Sequence, residues 1–278
     1  TNKGVEFSLS TVNILSDRFR WTTDFNLAHN KSKVNRIHVA ENSRTPSLEG
    51  YEVGALFQLN TAGLDEQGLP MFWQNGEKVS FYDFFQLKEG YDPLWGETFL
   101  QCDLSNEAYR NLYSYAGSSE PKFTGGLINR FYYRNFDLTI SASFVLGQTV
   151  QETPFYLPTE TSPGRNYSKR VAEIWSPENR NGKYPTLLGR NTLENNVAYL
   201  WHNQDERGIQ AFRNYDIWFK KMNYLRVNSI RLGYSLPEGM VRKLNLAQAR
   251  ISAEARNPFV FGSSFKGYFD PESYGNIY

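Results

Sequence analysis

The chain has 278 residues, with 30 Lys and Arg against 29 Asp and Glu, so its net charge is close to +1. Binding to nucleic acid or anionic lipid needs a clustered basic excess, and this balance gives no support for such a partner. One cysteine excludes an internal disulfide framework. The longest stretch without charged residues, 138–151, is too short and too rich in Ser and Thr for a membrane helix, which needs about 20 apolar residues.

Apolar and polar side chains alternate in several segments, and this period of two predicts β-strands. The first strand contains Val5, Phe7 and Leu9 and ends before a short turn at 15–17. Further strands are predicted, in chain order, over 17–30, 122–133, 135–147, 215–236 and 246–257. Aromatic residues make up 16% of the chain and are common in strands. The sequence therefore predicts an all-β fold.

The segment 136–147 shows the alternation most clearly, over the length that a tilted membrane strand requires. One face is apolar, and its members Phe136, Leu138, Ile140 and Phe144 are predicted to face lipid. The polar positions of this segment and of the last strand are predicted to face a water-filled lumen; they are Asp137, Thr139, Ser141, Ser143, Gln248, Arg250, Glu254 and Arg256. The reason is that an Arg or Lys side chain that faces lipid at mid-bilayer destabilises a barrel by about 2–4 kcal/mol, so charged positions should face water.

Short and long connections alternate along the chain. Residues 31–121 and 148–214 are long, polar and interrupted by Gly and Pro, whereas 15–17 and 133–135 are short turns. Outer-membrane barrels have this arrangement, with short periplasmic turns and long extracellular loops. A secreted β-sandwich also alternates and has connections of uneven length, so the pattern alone leaves both folds open.

A series of motifs resembles the C-terminal part of SusC/RagA-type TonB-dependent transporters of Bacteroidota. The matching segments occur in the family's order over nearly all of the chain. They include EGYEVGALF (49–57), AGLDEQGLP (62–70), GSSEPKFTGG (117–126), YRNFDL (133–138), LGYSLP (232–237) and DPE (270–272). No single motif is decisive, but together they are specific.

The resemblance implies an antiparallel transmembrane β-barrel of about 22 strands in the outer membrane, of which residues 1–278 form a part. The plug and the TonB-contacting segment would precede this chain, and a final strand would follow it. The implied function is nutrient import of oligosaccharides or peptides, with a SusD-like surface lipoprotein and the TonB–ExbB–ExbD complex as partners. Two alternatives remain open at this point: a siderophore or cobalamin receptor without a lipoprotein lid, and a soluble carbohydrate-binding β-sandwich.

The residues show no arrangement typical of an enzyme. His29, His38 and His202 are far apart and match no metal or catalytic motif, so neither catalysis nor a cofactor or metal is predicted. LDEQGLP is better explained as a β-turn with Gly68 at positive φ than as a calcium loop. Aromatic rings in the long connections suit sugars and peptide side chains. The predicted contacts with substrate or lid are Trp73, Tyr156, Tyr167, Trp175 and Trp201.

Overall fold

The computed structural model describes residues 1–94, 96–158, 164, 166–189, 192–194, 211–262 and 270–271. Antiparallel β-structure dominates this part of the chain. In chain order the strands are β1 (Asn2–Leu15), β2 (Phe19–Ser32), β3 (Ala55–Gln58), β4 (Thr61–Leu64), β5 (Pro70–Gln74), β6 (Glu77–Val79), β7 (Leu87–Asp92), β8 (Glu97–Cys102), β9 (Ser114–Ser118), β10 (Phe123–Tyr133), β11 (Phe136–Gln151), β12 (Phe219–Ser235) and β13 (Arg250–Phe261).

Helices are few and short. The described α-helices are α1 (Phe81–Phe84), α2 (Asn106–Arg110) and α3 (Glu238–Lys243), and 3₁₀ turns cover Lys169–Glu173, Ala211–Asn214 and Asp216–Trp218. None of the helices in the described residues is both long and apolar enough to cross a membrane.

The six long strands form one antiparallel sheet in the order β1-β2-β10-β11-β12-β13. These are the six strands that the sequence predicts, so the all-β prediction is confirmed. Strands β10 and β11 meet in a tight hairpin, in which Tyr133 pairs with Phe136 and Arg134 has a positive φ of 54°. Strands β2 and β10 are neighbours in the sheet, although a long insertion separates them in the sequence.

The last strand begins later than the sequence predicts. Residues 246–249, including Gln248, precede β13, and α3 occupies part of the connection between β12 and β13. The side chain of Val241 is buried, and its carbonyl accepts a hydrogen bond from the Leu246 amide at 3.1 Å. This contact holds the residues after α3 in a turn, so that the alternating pattern starts to pair only at Arg250.

Glycine makes room for an aromatic ring at one point of the sheet. A Cβ atom on Gly125 would lie 2.4 Å from Cζ of Phe144 on the neighbouring strand. The Phe144 ring in turn stacks on Phe25, with 6.2 Å between centroids and 14° between planes. An aromatic ring from a neighbouring strand thus covers the glycine backbone and fixes the register of β2, β10 and β11.

The connections 33–122 and 152–218 build a hydrophobic core of their own, separate from the large sheet. Its buried members come from both connections: Leu59, Leu69, Phe72, Phe81, Phe84, Phe85, Tyr109, Tyr156, Ile174, Ala211, Phe212, Tyr215 and Trp218. Most are aromatic, and the rings meet edge-to-face or stacked, as Phe72 does on Phe84 at 4.2 Å. We call this cluster the loop core.

Neighbouring residues on β5 give a direct test of the loop core. Phe72 is fully buried and contacts Phe84, Phe85 and Tyr215, whereas Trp73 is 47% exposed. Phe72→Ala should destabilise the loop core by about 3–5 kcal/mol, because it removes a buried ring and leaves a cavity. Hydrogen exchange of residues 55–118 should rise strongly in Phe72→Ala and little in Trp73→Ala. Equal protection in both variants would contradict the loop core.

Candidate functional site

Cross-strand pairing sorts the side chains of the large sheet into two faces. One row runs through Trp21, Phe131, Leu138, Leu232 and Ala253, each paired with the next. Successive side chains of a strand point to opposite faces, so this apolar row and its parallel neighbours make one face apolar. Phe136, Leu138, Ile140 and Phe144, which the sequence predicts to face lipid, all lie on this apolar face.

The apolar face is exposed to a degree that is unusual for a soluble protein. Val5 is 71% exposed and Ile251 is 70% exposed, and apolar side chains of β10, β11 and β12 are exposed as well. On β11 the apolar face extends from Phe136 to Leu146, a length of about 33 Å at 3.3 Å per residue. A strand of that length tilted by about 40° rises about 25 Å, which equals the height of the apolar band in outer-membrane barrels.

A small polar network interrupts the apolar face. The Asn129 Oδ1 atom accepts hydrogen bonds from Trp21 Nε1 at 2.9 Å and from Thr23 Oγ1 at 2.7 Å. Thr23 Oγ1 also accepts a bond from Asn13 Nδ2 at 2.6 Å, and Asn13 Oδ1 accepts one from Thr11 at 2.9 Å. The network joins β1, β2 and β10, and Asn13 lies at the bulge of β1. Every polar group named here has a partner within the network.

The opposite face is polar and carries ion pairs between strands. Asp24 on β2 pairs with Arg130 on β10, and Asp137 on β11 pairs with Arg250 on β13. The second pair is bidentate, at 3.2 Å from Nε and 2.6 Å from Nη2. Asp137, Thr139, Ser141, Ser143, Arg250, Glu254 and Arg256, which the sequence predicts to face the lumen, all lie on this polar face.

The Arg250–Asp137 pair depends on a glycine that the sequence analysis did not single out. Gly233 on β12 lies between the two strands, and a Cβ atom there would be 2.2 Å from Arg250 Nη2 and 2.6 Å from Asp137 Oδ1. The absence of a side chain lets the guanidinium cross β12. Gly233 belongs to LGYSLP, so the motif was visible in the sequence although its contact was not.

A second arginine of the polar face, Arg226, contacts Asp270. Arg226 is buried and forms an ion pair with Asp270, whose side chain is about half exposed. Asp270 belongs to the DPE motif. This ion pair places Asp270 at the polar face of β12.

The predicted contact residues of the loops do not converge on one site. Tyr156 is buried in the loop core, where its hydroxyl donates to the Pro185 carbonyl at 2.6 Å. Trp175 is half-buried over Gly68, and a Cβ atom on that glycine would lie 2.4 Å from the indole. Trp73 is exposed with the Lys78 ammonium 5.4 Å from its ring centroid, and Tyr167 is exposed. Trp201 lies outside the described residues.

An exposed tyrosine pair was missed by the sequence analysis. Tyr51 and Tyr115 stack at 5.3 Å, and Phe57 meets Tyr51 edge-on at 5.0 Å. The Tyr115 hydroxyl donates to Glu52 Oε1 at 2.7 Å; partial burial and this bond raise the pKa of Tyr115 to about 12. Tyr51 and Glu52 belong to EGYEVGALF. The rings come together through the pairing of β3 with β9, which sequence spacing does not reveal.

A buried ion pair joins the start of the second long connection to the loop core. Arg170 pairs with Glu152, which is buried, and donates to the Tyr184 hydroxyl. The guanidinium also stacks on Phe155, at 4.5 Å from the ring centroid. The contacts satisfy the buried charge and bind the end of β11 to the loop core. We assign them a structural role.

The described residues contain no group of three or more His, Cys, Asp and Glu side chains that could hold a metal ion. The His29 Nδ1 atom lies 2.6 Å from the Lys122 carbonyl oxygen. Burial raises the pKa of the Cys102 thiol, which lowers its reactivity as a nucleophile. Gly68 has a φ of 80° and its amide donates to the Asp65 carbonyl at 3.1 Å, so the predicted β-turn is confirmed.

Gly233→Ala tests the arrangement of the polar face. The new methyl group should displace the Arg250 guanidinium from Asp137 and lower the free energy of unfolding by about 1 kcal/mol or less, the usual range for a partly exposed ion pair. In an Asp137→Asn background the same substitution should cost clearly less. Gly239→Ala in α3, where nothing lies within 4 Å, is the matched control. Thermal unfolding in detergent measures all four variants, and additive effects would contradict the assignment.

Comparison with known proteins gives a consistent answer. No family model matches the chain. It is 26% identical over 279 residues to TonB-dependent receptor P3 of Formosa agariphila and 23% identical over 300 residues to TonB-dependent receptor P39 of the same organism. Both alignments cover 98% of this chain but 25% and 27% of the relatives. The chain therefore spans about a quarter of the length of the curated relatives it matches.

Solved structures show the same fold. The RagAB peptide transporter matches 99% of this chain with a TM-score of 0.66 and 18% identity, and 27% of that protein's chain is covered. The RagAB peptide importer in the open-open state matches 96% of this chain with a TM-score of 0.58. The predicted outer-membrane location is confirmed. The resemblance predicted from the sequence is confirmed as well, because this chain is similar to a portion of the SusC/RagA-type TonB-dependent transporters.

Proposed function

We propose that this chain forms part of the wall of a closed outer-membrane β-barrel that imports oligosaccharides or peptides. The observation that carries the proposal is the two-faced sheet of six strands, with an exposed apolar face of membrane height and a polar face bearing ion pairs. In the barrel the apolar face contacts lipid and the polar face lines the lumen. We propose about 22 strands for this barrel, the number that the resemblance to SusC/RagA-type transporters implies.

Open sheet edges support the barrel. Within the described residues β1 and β13 each pair with one neighbouring strand, which leaves a row of backbone hydrogen-bonding groups on the far side of each. Inside a membrane such groups must be paired, and only closure of the sheet pairs all of them. Further strands of the parent protein would therefore continue the sheet beyond both edges.

The loops support a binding role on the extracellular side. The short turns after β1 and β10 lie at one end of the sheet, and the long connections that form the loop core lie at the other. In the proposed barrel the loop core is extracellular. Trp73, Tyr167, Trp175 and the Tyr51–Tyr115 pair would offer aromatic surface to cargo or to a lid, whereas burial removes Tyr156 from this set. Trp201 remains a proposed contact.

Import would need parts outside this chain. The proposed partners are a SusD-like surface lipoprotein, which captures cargo above the loops, and the TonB–ExbB–ExbD complex, which acts through the remainder of the parent protein. The comparisons include a structure described as a peptide transporter, and that description concerns RagAB itself. We propose no catalytic activity, cofactor or metal for this chain.

The partner proposal is tested by native mass spectrometry of the parent protein extracted from outer membranes in detergent. A mass far above 32.2 kDa with a lipidated subunit bound is the expected result. A parent barrel that never retains a lipoprotein would favour a lidless receptor for siderophores or cobalamin. A species of 32.2 kDa that is soluble without detergent would contradict the barrel.

The orientation of the sheet is tested by adjacent positions on β11. Ile140→Arg would place a charge in mid-bilayer at a cost of about 2–4 kcal/mol and should reduce the assembled protein in the outer membrane. Ser141→Arg, on the polar face, should assemble as the wild type does. Heat-modifiable mobility on gels measures assembly. Equal assembly of the two variants would overturn the lipid and lumen assignments.

A further inference from the structure

On β1, β2, β10 and β11 the apolar face of the large sheet ends in one row, on the side of the long connections. Val5 pairs with His29, and His29 pairs on its other side with Phe123. Phe123 pairs with Leu146, the residue at which the apolar band of β11 ends. We call these four residues the border row. In the proposed barrel the border row marks the height at which the hydrocarbon of the membrane ends.

Lysines occupy the next row of the same face. Lys3 and Lys31 lie directly opposite each other, two residues along each strand beyond the border row. Lys33 lies two residues further, where its amide donates to the Thr1 carbonyl at 2.8 Å and continues the pairing of the two strands. All three lysine side chains are exposed. We call Lys3, Lys31 and Lys33 the lysine cluster.

The lysine cluster has no counter-ion among the residues that the structure describes. The ion pairs found in that part of the chain all involve other side chains. Like charges that lie opposite each other on two strands repel, so the Lys3–Lys31 pairing is unfavourable by itself. On the polar face at the same height Gly4 pairs with Asn30, and neither is charged. The charge at this height therefore lies on the membrane side of the sheet.

Lys221 on β12 shows the contrasting case. It is exposed at the same end of the sheet, but its ammonium donates to the Ala116 carbonyl at 2.9 Å and to Thr149 Oγ1 at 3.0 Å. The long connections thus supply acceptors for this lysine. They supply no ion-pair partner for the lysine cluster within the described residues, which leaves its ammonium groups available to an external anion.

The height of the lysine cluster indicates which anion it meets. An ammonium group in hydrocarbon is costly, and the flexible lysine stem lets the charge reach the polar layer just above the border row. Lipid phosphates are the anions of that layer, and a lysine ammonium binds phosphate with three donors and a full charge. A phosphate between Lys3 and Lys31 would also replace their mutual repulsion with two attractions.

We propose that the lysine cluster binds the phosphorylated headgroup of a lipid in the outer leaflet. The proposal rests on the proposed function, because only in the barrel does the apolar face meet lipid with the long connections outside the cell. Two observations carry it: the position of Lys3 and Lys31 directly beyond the border row, and the lack of a counter-ion for them in the described part of the chain.

Lipid binding by the full-length parent protein, purified in detergent, tests the proposal. The probe is diphosphorylated lipid A, and native mass spectrometry measures the bound fraction during a titration. The double variant Lys3→Gln/Lys31→Gln should lower the affinity about ten-fold, because two of the charges that attract the anionic headgroup are lost. Lys3→Arg/Lys31→Arg should bind as the wild type does. The control Arg242→Gln/Lys243→Gln removes two charges from α3, at the other end of the sheet, and should leave the affinity unchanged.

The form of the lipid provides a second readout. Dephosphorylated lipid A should bind the wild-type parent about ten-fold more weakly than the diphosphorylated form, and the Gln double variant should not distinguish the two lipids. A wild type that binds both lipids equally would overturn the proposal. Binding of labelled inorganic phosphate without a preference for the phosphorylated lipid would assign the cluster to free phosphate, which also overturns it.

Two further outcomes are decisive. If the Gln double variant binds lipid normally but no longer retains a lipoprotein subunit, the lysine cluster contacts a protein and the proposed ligand is wrong. If the double variant does not assemble, Lys31→Gln replaces it with an expected loss of about three-fold, and unchanged affinity counts against the proposal. Failure of the proposed function is distinguishable, because the wild-type parent would then give no heat-modifiable barrel to titrate.

Discussion

The antiparallel ladder of the six long strands is the constraint on which the remainder of the structure depends. Pairing in register assigns every side chain of these strands to one of two faces, and a slip of one residue would exchange the faces. Phe136, Leu138 and Ile140 would then meet polar rows, and Asp137 would join an apolar one. The ion pairs and the aromatic contacts across strands therefore exist only because the register holds.

Two glycines show how side-chain contacts reinforce that ladder on either face. Gly125 accommodates a ring on the apolar face, and Gly233 accommodates a guanidinium on the polar face. In both cases a residue from a neighbouring strand occupies the space of a missing side chain. Each of these contacts can form only when the strands pair in the observed register. Each glycine therefore helps to fix the alignment of neighbouring strands as well as the packing of their side chains.

The long strands could be predicted from the sequence because a period of two repeats over ten or more residues, as in FDLTISASFVLG. The same pattern puts Asp137 and Ser141 on the opposite face from Leu138 and Ile140, which is where the strand pairing has them. The loop core could not be predicted, since Phe72, Tyr156 and Trp218 come from segments without any period and meet only in the fold. For that reason Tyr156 was expected to contact cargo but lies buried, and the stacking of Tyr51 on Tyr115 was missed.

The hydrogen bonds around Asn129 have a consequence for how the strands pair in the membrane. Hydrocarbon offers no donors or acceptors, so Trp21 Nε1, Thr23 Oγ1 and Asn129 Oδ1 depend there on the hydrogen bonds of the network, including the one from Asn13. If β2 and β10 were misaligned, bare amide and hydroxyl groups would face lipid, which costs free energy. The cluster therefore makes the paired arrangement of β2 and β10 the one in which these groups can lie in lipid at the lowest cost in free energy.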